Sequence, residues 1–359
     1  MGTLLVNPQA YTHAAPVPVV SIADHDSAAA WDEFVESRPD ATGYHAWRWR
    51  TIFEEGLNHR PRYLVAKRAN RIVGVLPLVE IRGWLFGRAL SSLPFVNYGG
   101  VLASDREAAT ALIEAVRPIA RAARSSYVLL RHRQRVFNDL PVRTHKVTML
   151  LQLEGNVDAM WTALDRKVRN QIRKAEKSNL ELVSGGAELL DQFFNVFARN
   201  MRDLGTPVYG RRLFASILST CGNDARLYVV RLRGEPIAVG LSYSYGSVTE
   251  VPSASSLREH RALCPNHLMY WSIVRDAIAH GRRTLDFGRS TPDDGTHQFK
   301  EQWGAVSEQL HWEYVLTGAA DAPGDDRHSP KYRALIEGWK RLPISVATVM
   351  GPHIARCVP

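Results

Sequence analysis

The chain has 359 residues, of which 45% are hydrophobic, and a formal net charge of +9. This length is too great for one typical hydrophobic core and predicts two domains. No apolar run approaches the roughly 18 residues of a membrane span, and the N-terminus lacks the basic-then-apolar pattern of a secretory signal. These two absences predict a cytoplasmic protein. The net positive charge predicts attraction to polyanions such as RNA, anionic lipid surfaces and phosphorylated precursors.

The predicted elements form two successive αβ series. The first has helices over 28–37, 44–57 and 107–124 and strands over 63–66, 72–81 and 127–131. The second has helices over 187–203, 212–221 and 266–280 and strands over 226–231, 236–245, 247–255 and 285–288. We predict a flexible N-terminus over 1–16, domains over 17–150 and 151–318, and a linker and tail over 319–359. The boundary is placed near Leu150 because the second series begins there.

A basic helix is predicted between the two series. From 158 to 178, apolar residues recur at helical spacing, while Arg166, Arg169, Arg173 and Lys177 fall on the opposite side. The pattern predicts one amphipathic helix with a basic stripe. The stripe is either a solvated face, as charge runs usually are, or a phosphate-binding ridge.

Two loop segments supply candidate substrate contacts. The sequence Asn97-Tyr98-Gly99-Gly100 brings backbone without side chains to a strand end, where a substrate can approach closely. Tyr209 lies in a short segment that interrupts two predicted helices. We take Asn97, Tyr98 and Tyr209 as substrate-binding candidates.

The densest group of reactive side chains follows the predicted strand over 285–288. Its members are Asp286, Arg289, His297 and Lys300, with Phe299 and Trp303 as aromatic anchors. Cations, a carboxylate and an imidazole at a strand end suit a cleft for a polar, anionic ligand. The alternative is an ordinary hairpin loop with solvated charges.

Other kinds of site are disfavoured by the sequence. Cys221, Cys264 and Cys357 form neither a CxxC pair nor a disulfide framework, so we expect buried or incidental thiols. The 13 histidines show no HxxxH or HExxH spacing, and we predict no metal site. No GxSxG elbow marks a serine nucleophile.

The segment from 286 to 304 resembles the signature of the FemAB-related proteins, particularly the branch associated with exosortase and exopolysaccharide systems. The matching pieces are DFGRS at 286–290, Gly295, Phe299-Lys300 and Trp303-Gly304. Further matches lie at 73–78, Phe86-Gly87, 93–100, 204–207, 269–271 and 339–352. The resemblance spans nearly the whole chain. It implies an α/β (α+β) fold of two tandem GNAT-like domains, each with a mixed, mostly antiparallel sheet flanked by helices.

The resemblance also implies roles for individual residues. Related FemABX proteins use basic residues of the stripe region on a phosphorylated substrate, which makes Lys167, Arg169 and Arg173 the anionic-ligand candidates. The implied chemistry is acyl transfer to an amine, which needs donors aimed at the developing oxyanion but no covalent nucleophile.

Within the 286–304 cluster, several roles remain open. Asp286 and His297 are candidate general bases, and Arg289 or Lys300 would stabilise the oxyanion or hold a phosphate. Asp286 is equally a buried carboxylate that pairs with Arg289, and His297 is alternatively a cap of the turn. Trp303 is a candidate substrate contact.

The acyl donor is predicted to be aminoacyl-tRNA or acyl-CoA, with no tightly bound cofactor. Coenzyme A-dependent members usually hold the pyrophosphate in a Gly-rich turn at a helix N-terminus, where free amides meet the anion. The corresponding stretch over 258–265 contains no glycine, which disfavours coenzyme A. The helical arm that some FemA-type members insert for tRNA is not evident, which weakens the tRNA-dependent version.

The combined prediction is an acyl- or aminoacyltransferase that forms an amide bond on a peptidoglycan or exopolysaccharide precursor. The alternatives are an acyl-CoA-dependent N-acyltransferase acting on an amino sugar and a non-catalytic polyanion-binding accessory protein. The expected partners are the anionic envelope precursor and charged tRNA, with no DNA. Apolar groups around Trp339 and over 346–350 either contact the inner membrane face peripherally or pack onto a domain.

Overall fold

A computed structural model describes residues 16–83, 87–318 and 330–358. Phe86, the predicted linker over 319–328 and all but the last residue of the predicted flexible N-terminus lie outside the described residues. The strands are β1 Val19–Ile22, β2 Arg60–Pro61, β3 Leu64–Arg68, β4 Arg71–Leu76, β5 Val79–Gly83, β6 Gly87–Ser91, β7 Leu102–Ala103, β8 Tyr127–His132, β9 Val142–Arg143, β10 Val147–Gln152, β11 Leu180–Gly185, β12 Ala225–Leu232, β13 Glu235–Tyr245, β14 Val248–Ser256, β15 Thr284–Ser290, β16 Val306–Gln309 and β17 His311–Leu316.

The α-helices are α1 Ala28–Glu36, α2 Arg48–Thr51, α3 Arg106–Ala122, α4 Val157–Ala163, α5 Arg166–Glu176, α6 Leu190–Leu204, α7 Arg211–Cys221, α8 Pro265–Ala279, α9 Gly295–Glu301, α10 Pro330–Lys340 and α11 Ile344–Ala355. Helices α1, α3, α6, α7 and α8 lie close to predicted positions, whereas the predicted helix over 44–57 consists of a 3-10 turn at Gly43–His45, the short α2 and a π-helix at Ile52–Gly56. The α3 helix illustrates the two sequence features that predict a helix, a capping residue and an apolar face. Asp105 caps its first turn by accepting from the Ala108 amide at 2.8 Å, and Leu112 and Val116 are buried along one face.

Strands of the N-terminal half lie in two sheets. Among the described residues, one sheet has the order β1-β3-β4-β7 and the other β2-β5-β6-β8-β17-β9. All pairs are antiparallel except β6 with β8, which are parallel over two residue pairs. The prediction of a single sheet in this half is therefore corrected to two.

The C-terminal sheet has the order β11-β12-β13-β14-β15-β10-β16 among the described residues. Its one parallel pair joins β14 to β15, with Val248, Thr249 and Glu250 opposite residues 284–286. Beyond that point the two strands separate. Pro252 follows on β14 and has no N–H to donate, so the strand cannot extend this hydrogen-bond ladder. A meander followed by a splayed parallel pair is the predicted GNAT-like order.

Two strands cross the predicted domain boundary near residue 150. The β10 strand begins at Val147 but pairs with β15 and β16 in the C-terminal sheet. The β17 strand returns from the end of the C-terminal half to pair with β8 and β9. The predicted division into 17–150 and 151–318 therefore does not follow the sheets.

The predicted single helix over 158–178 is wrong in one respect. It is two helices, because Leu164 has an extended backbone (ψ 142°) and the Asp165 side chain caps α5 by accepting from the Lys167 amide at 2.6 Å. Apolar spacing continues across the break, with Leu164, Val168 and Ile172 all buried. Periodicity alone could not reveal the interruption.

The two halves share a hydrophobic core. One buried cluster joins Trp49 and Phe53 of the first half to Phe193, Phe214 and Leu241 of the second. The aromatic residues of the α2 region are thus core residues, as predicted. All three cysteines are buried free thiols.

The C-terminal tail forms α10 and α11, which pack against α6. The α11 helix approaches the segment before α7 so closely that a Cβ on Gly351 would lie 2.9 Å from the Val208 amide. Arg202 of α6 also donates to the Leu342 carbonyl at 2.8 Å. No described helix is long and apolar enough to cross a membrane.

Candidate active site

Two acidic side chains lie side by side where β14 and β15 begin to separate. Glu250 and Asp286 are direct neighbours in the parallel register, and their exposed fractions are 5% and 0%. Glu250 accepts hydrogen bonds from the Tyr44 hydroxyl at 2.5 Å and from the Asn97 amide. Because Tyr44 and Asn97 belong to the N-terminal half, the acid pair joins the two halves of the chain.

Asp286 has three donors of its own. The Thr148 hydroxyl donates at 2.7 Å, the Gly288 amide at 2.8 Å, and the Tyr98 hydroxyl donates to the second carboxyl oxygen. Burial raises the pKa of Asp286, and these hydrogen bonds oppose the rise. Burial and the neighbouring Asp286 charge raise the pKa of Glu250 well above its ordinary value. Burial therefore raises the pKa of both carboxyl groups of the pair.

Gly288 forms a bulge in β15 beside this pair. The β10–β15 register shifts between Thr148 and Leu150, and Gly288 has φ +73°, in the left-handed region that favours glycine. A Cβ there would lie 2.9 Å from the Asn97 amide nitrogen. The glycine of the DFGRS segment therefore permits the N-terminal loop to reach Glu250.

A cavity of about 660 Å³ opens above the bulge, between the separating strands. Both halves line it, and its polar lining residues include Asn97, Arg131, Lys146, Tyr209, Arg289 and Lys300. Four of these six carry positive charge, against the single lining carboxylate of Asp294. The arrangement attracts an anionic ligand.

The indole of Trp312 organises two of the cations. The Arg131 guanidinium lies 4.7 Å from its ring centroid, and that of Arg289 lies 5.3 Å away. Arg131 also donates to the Val96 carbonyl at 2.8 Å. Burial and the Arg289 charge lower the pKa of Arg131 to about 9. Arg131 thereby supports the loop that carries Asn97 and stands next to Arg289.

Lys300 approaches the bulge from α9. Its ammonium donates to the Gly288 and Arg289 carbonyls, both at 2.9 Å, and burial lowers its pKa to about 8. The side chain lines the cavity while it fixes the backbone that presents Arg289.

The chain is similar to several known proteins. Residues 164–301 match the family described as an acetyltransferase (GNAT) domain. The crystal structure of FemX superposes with a TM-score of 0.64 at 17% identity, covering 83% of this chain and 98% of FemX. A tandem GNAT protein from the clavulanic acid biosynthesis pathway gives 0.51 at 13% identity, covering 85% and 99%.

A third similar structure is the C-terminal domain of a putative lysylphosphatidylglycerol synthetase from Agrobacterium fabrum. Its TM-score is 0.55 at 12% identity, and the match covers 87% of this chain and 95% of that domain. No curated protein sequence matches the chain significantly.

Residues 164–301 are thus similar to a GNAT acetyltransferase domain. The predicted tandem GNAT-like fold and transferase class are confirmed. The acid pair and the cavity lie where the GNAT sheet separates, between β14 and β15.

The structure brings only some of the predicted site residues to this cavity. Asn97, Tyr209, Arg289 and Lys300 line it. Tyr98 and Asp286 are buried beside it, where the Tyr98 hydroxyl and the Gly288 amide both donate to Asp286. These six residues lie in or beside one cavity.

His297 and Trp303 do not line the cavity. His297 Nε2 lies 2.9 Å from the Ser307 hydroxyl, and its Nδ1 lies 3.6 Å from a Glu301 carboxyl oxygen. Trp303 is 1% exposed and packs against Phe287 in the core of the GNAT domain. His297 lies on α9 and Trp303 in the turn that follows it, and neither is among the residues that line the cavity.

The basic residues of α5 form a second location. Lys167 and Arg173 are exposed, Arg169 is half-buried, and none of them lines the cavity. The Arg173 guanidinium lies 5.3 Å from the Trp161 ring centroid. Burial and then the Lys167 charge lower the pKa of His267 to about 4, which places Lys167 close to the first turn of α8.

Sequence reasoning missed Glu250 as a site residue. A single acidic residue within a predicted strand, two positions before a proline, is the signal that the sequence offers. Arg131 lies within β8 and Lys146 directly before β10, and neither was predicted as a site residue. Their approach to Arg289 depends on the pairing of sheets from both halves.

The segment before α8 takes a compact form in place of a glycine-rich turn. Residues Arg258–Leu263 form a 3-10 helix, and Cys264 occupies the left-handed region with φ +59°. Among the described residues, no group of His, Cys, Asp and Glu side chains is placed to hold a metal ion.

Proposed function

We propose that this protein transfers an acyl or aminoacyl group to an amine of an anionic cell-envelope precursor, in the cavity between β14 and β15. The observation that carries the proposal is the cavity of about 660 Å³, lined by four cationic side chains at the separation of the GNAT sheet. Peptidoglycan and exopolysaccharide precursors are the acceptor classes that we consider. The exosortase-associated branch remains a prediction.

In this reaction the unprotonated amine attacks the acyl carbonyl carbon. The C–N bond forms, the C–O or C–S bond to the donor breaks, and the amine proton leaves with the departing group or to solvent. Negative charge develops on the carbonyl oxygen, and a preorganised cation lowers that barrier. Arg289 is our candidate for this role because Lys300 and Trp312 fix it at the cavity wall.

Asp286 is proposed as a positioning residue. It is buried and accepts from Tyr98, Thr148 and the Gly288 amide. A carboxylate occupied in this way orients the bulge and the N-terminal loop. We propose no general base, since an amine that is already neutral needs none to attack.

The cell-envelope acceptor is supported by the similar structures. FemX shares the fold over nearly its whole length, and another neighbour is a putative lysylphosphatidylglycerol synthetase, whose name joins an amino acid to a lipid. The glycine-free segment before α8 favours a donor other than coenzyme A, and charged tRNA remains the alternative donor.

The test combines a donor panel with a cavity variant. Protein is incubated with aminoacyl-tRNA or acyl-CoA donors and a nucleotide-linked muropeptide, and amide products are detected by mass spectrometry. Arg289→Ala should lower turnover by about 10² or more if the side chain stabilises the oxyanion. The control is Arg233→Ala, at the exposed β12–β13 turn, which should retain activity. Unchanged kinetics in folded Arg289→Ala would remove the site from this cavity.

Peripheral membrane contact is part of the proposal. Val346, Val349 and Met350 of α11 are 38%, 67% and 46% exposed and share a face by their spacing. Ala355 of the same helix lines the cavity, so a lipid-linked acceptor on that side would be within reach. Anionic vesicles should sediment the full chain better than a Val349→Asp, Met350→Asp variant. Equal sedimentation would contradict the membrane contact.

A further inference from the structure

A second, smaller chamber adjoins the cationic cavity. Its volume is about 250 Å³, and it lies between the α2 region, α6 and α7. Six residues line both spaces, namely Phe95, Asn97, Tyr209, Pro252, Ala254 and Arg289. We call this space the apolar chamber. These shared residues form the boundary between the chamber and the proposed active site.

Hydrocarbon and aromatic side chains predominate in the lining of the apolar chamber, which also includes Asn97, Ser253 and Arg289. Phe53, Phe197, Leu213, Ile217 and Leu241 contribute to it. The charged group in its wall is Arg289, at the boundary with the cationic cavity, and no carboxylate is among the described residues that line it. The character of the lining therefore changes from cationic in the larger cavity to largely apolar in the neighbouring chamber.

The size of the chamber indicates a ligand. An engineered apolar cavity of about 150 Å³ is large enough to bind benzene. Protein interiors are packed at crystal-like density, and empty apolar volume destabilises them. A chamber of about 250 Å³ with rigid aromatic walls exceeds an ordinary packing defect.

The lining also selects among acyl groups. An aminoacyl group carries an α-amino group that is ammonium when protonated, and such a cation would meet Arg289 with no carboxylate in the chamber to compensate. Glu250 and Asp286 line neither space, since both are buried behind Asn97 and Tyr98. An uncharged hydrocarbon chain has no such cost.

We propose that the apolar chamber binds the hydrocarbon part of the transferred group, which makes the donor an activated ester or thioester of a medium-chain acyl group without a free amine. The inference rests on the proposed transferase function and specifies its substrate class. The acyl carbonyl then lies at the shared wall near Arg289 and Asn97. The anionic remainder of the donor occupies the cationic cavity.

Binding of straight-chain alkanoates tests the inference without turnover. Dissociation constants are measured by calorimetry from acetate to dodecanoate, with the carboxylate as a probe for Arg289. Each added methylene should tighten binding about fourfold until the chamber is full, after which the constant should level off. A dissociation constant that does not depend on chain length would overturn the proposal.

Two neighbouring positions on α7 give a matched pair of variants. Ile217 lines the apolar chamber, whereas Leu218 lines a separate cavity with Ser219 and Asn223. Ile217→Phe should move the plateau to a shorter chain, and Leu218→Phe should leave it in place. Leu241→Phe provides a second filled chamber if Ile217→Phe fails to fold. The same plateau in the wild type and all folded variants would indicate binding elsewhere and overturn the proposal.

The outcomes separate this inference from the proposed function. Chain-length selectivity without any amide product leaves the chamber assignment standing and removes the transferase proposal for the acceptors used. Amide formation from acetyl or aminoacyl donors without chain-length selectivity supports the transferase proposal and overturns the chamber assignment.

Discussion

Gly288 combines two requirements at one residue, a left-handed backbone and a close approach by Asn97. We predict that Gly288→Ala lowers the free energy of unfolding by about 2–4 kcal/mol, because strain at φ +73° adds to a steric overlap with the Asn97 amide. Urea denaturation measures the change. Turnover should fall as well, since the overlap displaces the N-terminal loop from the acid pair.

Gly234→Ala is the control for this substitution. Gly234 has φ +83°, and a Cβ there would meet no atom within 4 Å. Its substitution carries the backbone strain of about 1 kcal/mol without the overlap. If both variants lose the same stability, the approach of Asn97 is not the cause.

Lys300 gives a pH dependence with a defined sign. Burial lowers its pKa in the folded protein from 10.5 to about 8. Between these values the unfolded chain binds more protons at this residue than the folded chain, so the free energy of unfolding rises with pH. Relative to Lys300→Met, the wild type should gain about 1–3 kcal/mol between pH 7.5 and pH 10. Chemical denaturation at both pH values measures it, and parallel curves would refute the shift.

At this scale the sequence predicted part of the set of residues that line the candidate cavity. Arg289 and Lys300 were recognisable because charges crowd a strand end, and Asn97 because glycines follow it. His297 and Trp303 belong to the same segment but contact Ser307 and Phe287 and do not line the cavity. One-dimensional proximity cannot show which side of a short helix faces a cavity.

Among the elements, α5 carries the second group of predicted anion ligands. Lys167 lies near the first turn of α8, where free backbone amides favour anions. Binding of a nucleotide-linked muropeptide should weaken as salt rises, because exposed charges are screened beyond about 8 Å at physiological ionic strength. Lys167→Glu with Arg173→Glu should raise the dissociation constant at least about tenfold.

The matched control for that double variant is Arg71→Glu with Arg233→Glu. Both arginines are exposed, at the ends of β4 and β12, so the net charge changes equally. A salt-insensitive affinity, or an equal loss in both double variants, would favour a merely solvated α5 face.

Two glycines in the C-terminal helices should respond with opposite signs. Gly351→Ala should lower the free energy of unfolding by about 1–3 kcal/mol, because its Cβ would overlap Val208. Gly338→Ala should raise it by up to about 1 kcal/mol, since α10 has open space there and alanine favours helix. Thermal unfolding of both variants measures the difference. Similar shifts would mean that α11 is not docked.

Individual helices and strands show which features the apolar spacing predicts and which it does not. Helices α3, α6 and α8 follow apolar periodicity and are found close to the predicted bounds. The break between α4 and α5 depends on the cap at Asp165, which leaves the apolar spacing intact. The return of β17 to the first sheet depends on a pairing partner about 180 residues earlier.

At the scale of the whole molecule, each predicted domain has a sheet that includes residues of the other predicted domain. We predict that a fragment over 17–150 does not fold alone, because β8 and β9 would lack β17 between them. Far-ultraviolet circular dichroism and amide NMR dispersion measure this. Co-expression with the segment over 151–359 should restore a folded complex, and a folded isolated fragment would show that β17 is dispensable.

The returning strand also sets an order of events during synthesis. The β8 strand ends at His132 and β17 begins at His311, so the ribosome must add about 180 residues before the N-terminal sheet can be completed. At about 5–20 residues per second, this delay is on the order of 10–40 s. Through that interval the edges of β8 and β9 lack their native partner. Nascent chains stalled before residue 311 should therefore recruit chaperones more strongly than chains released after residue 316.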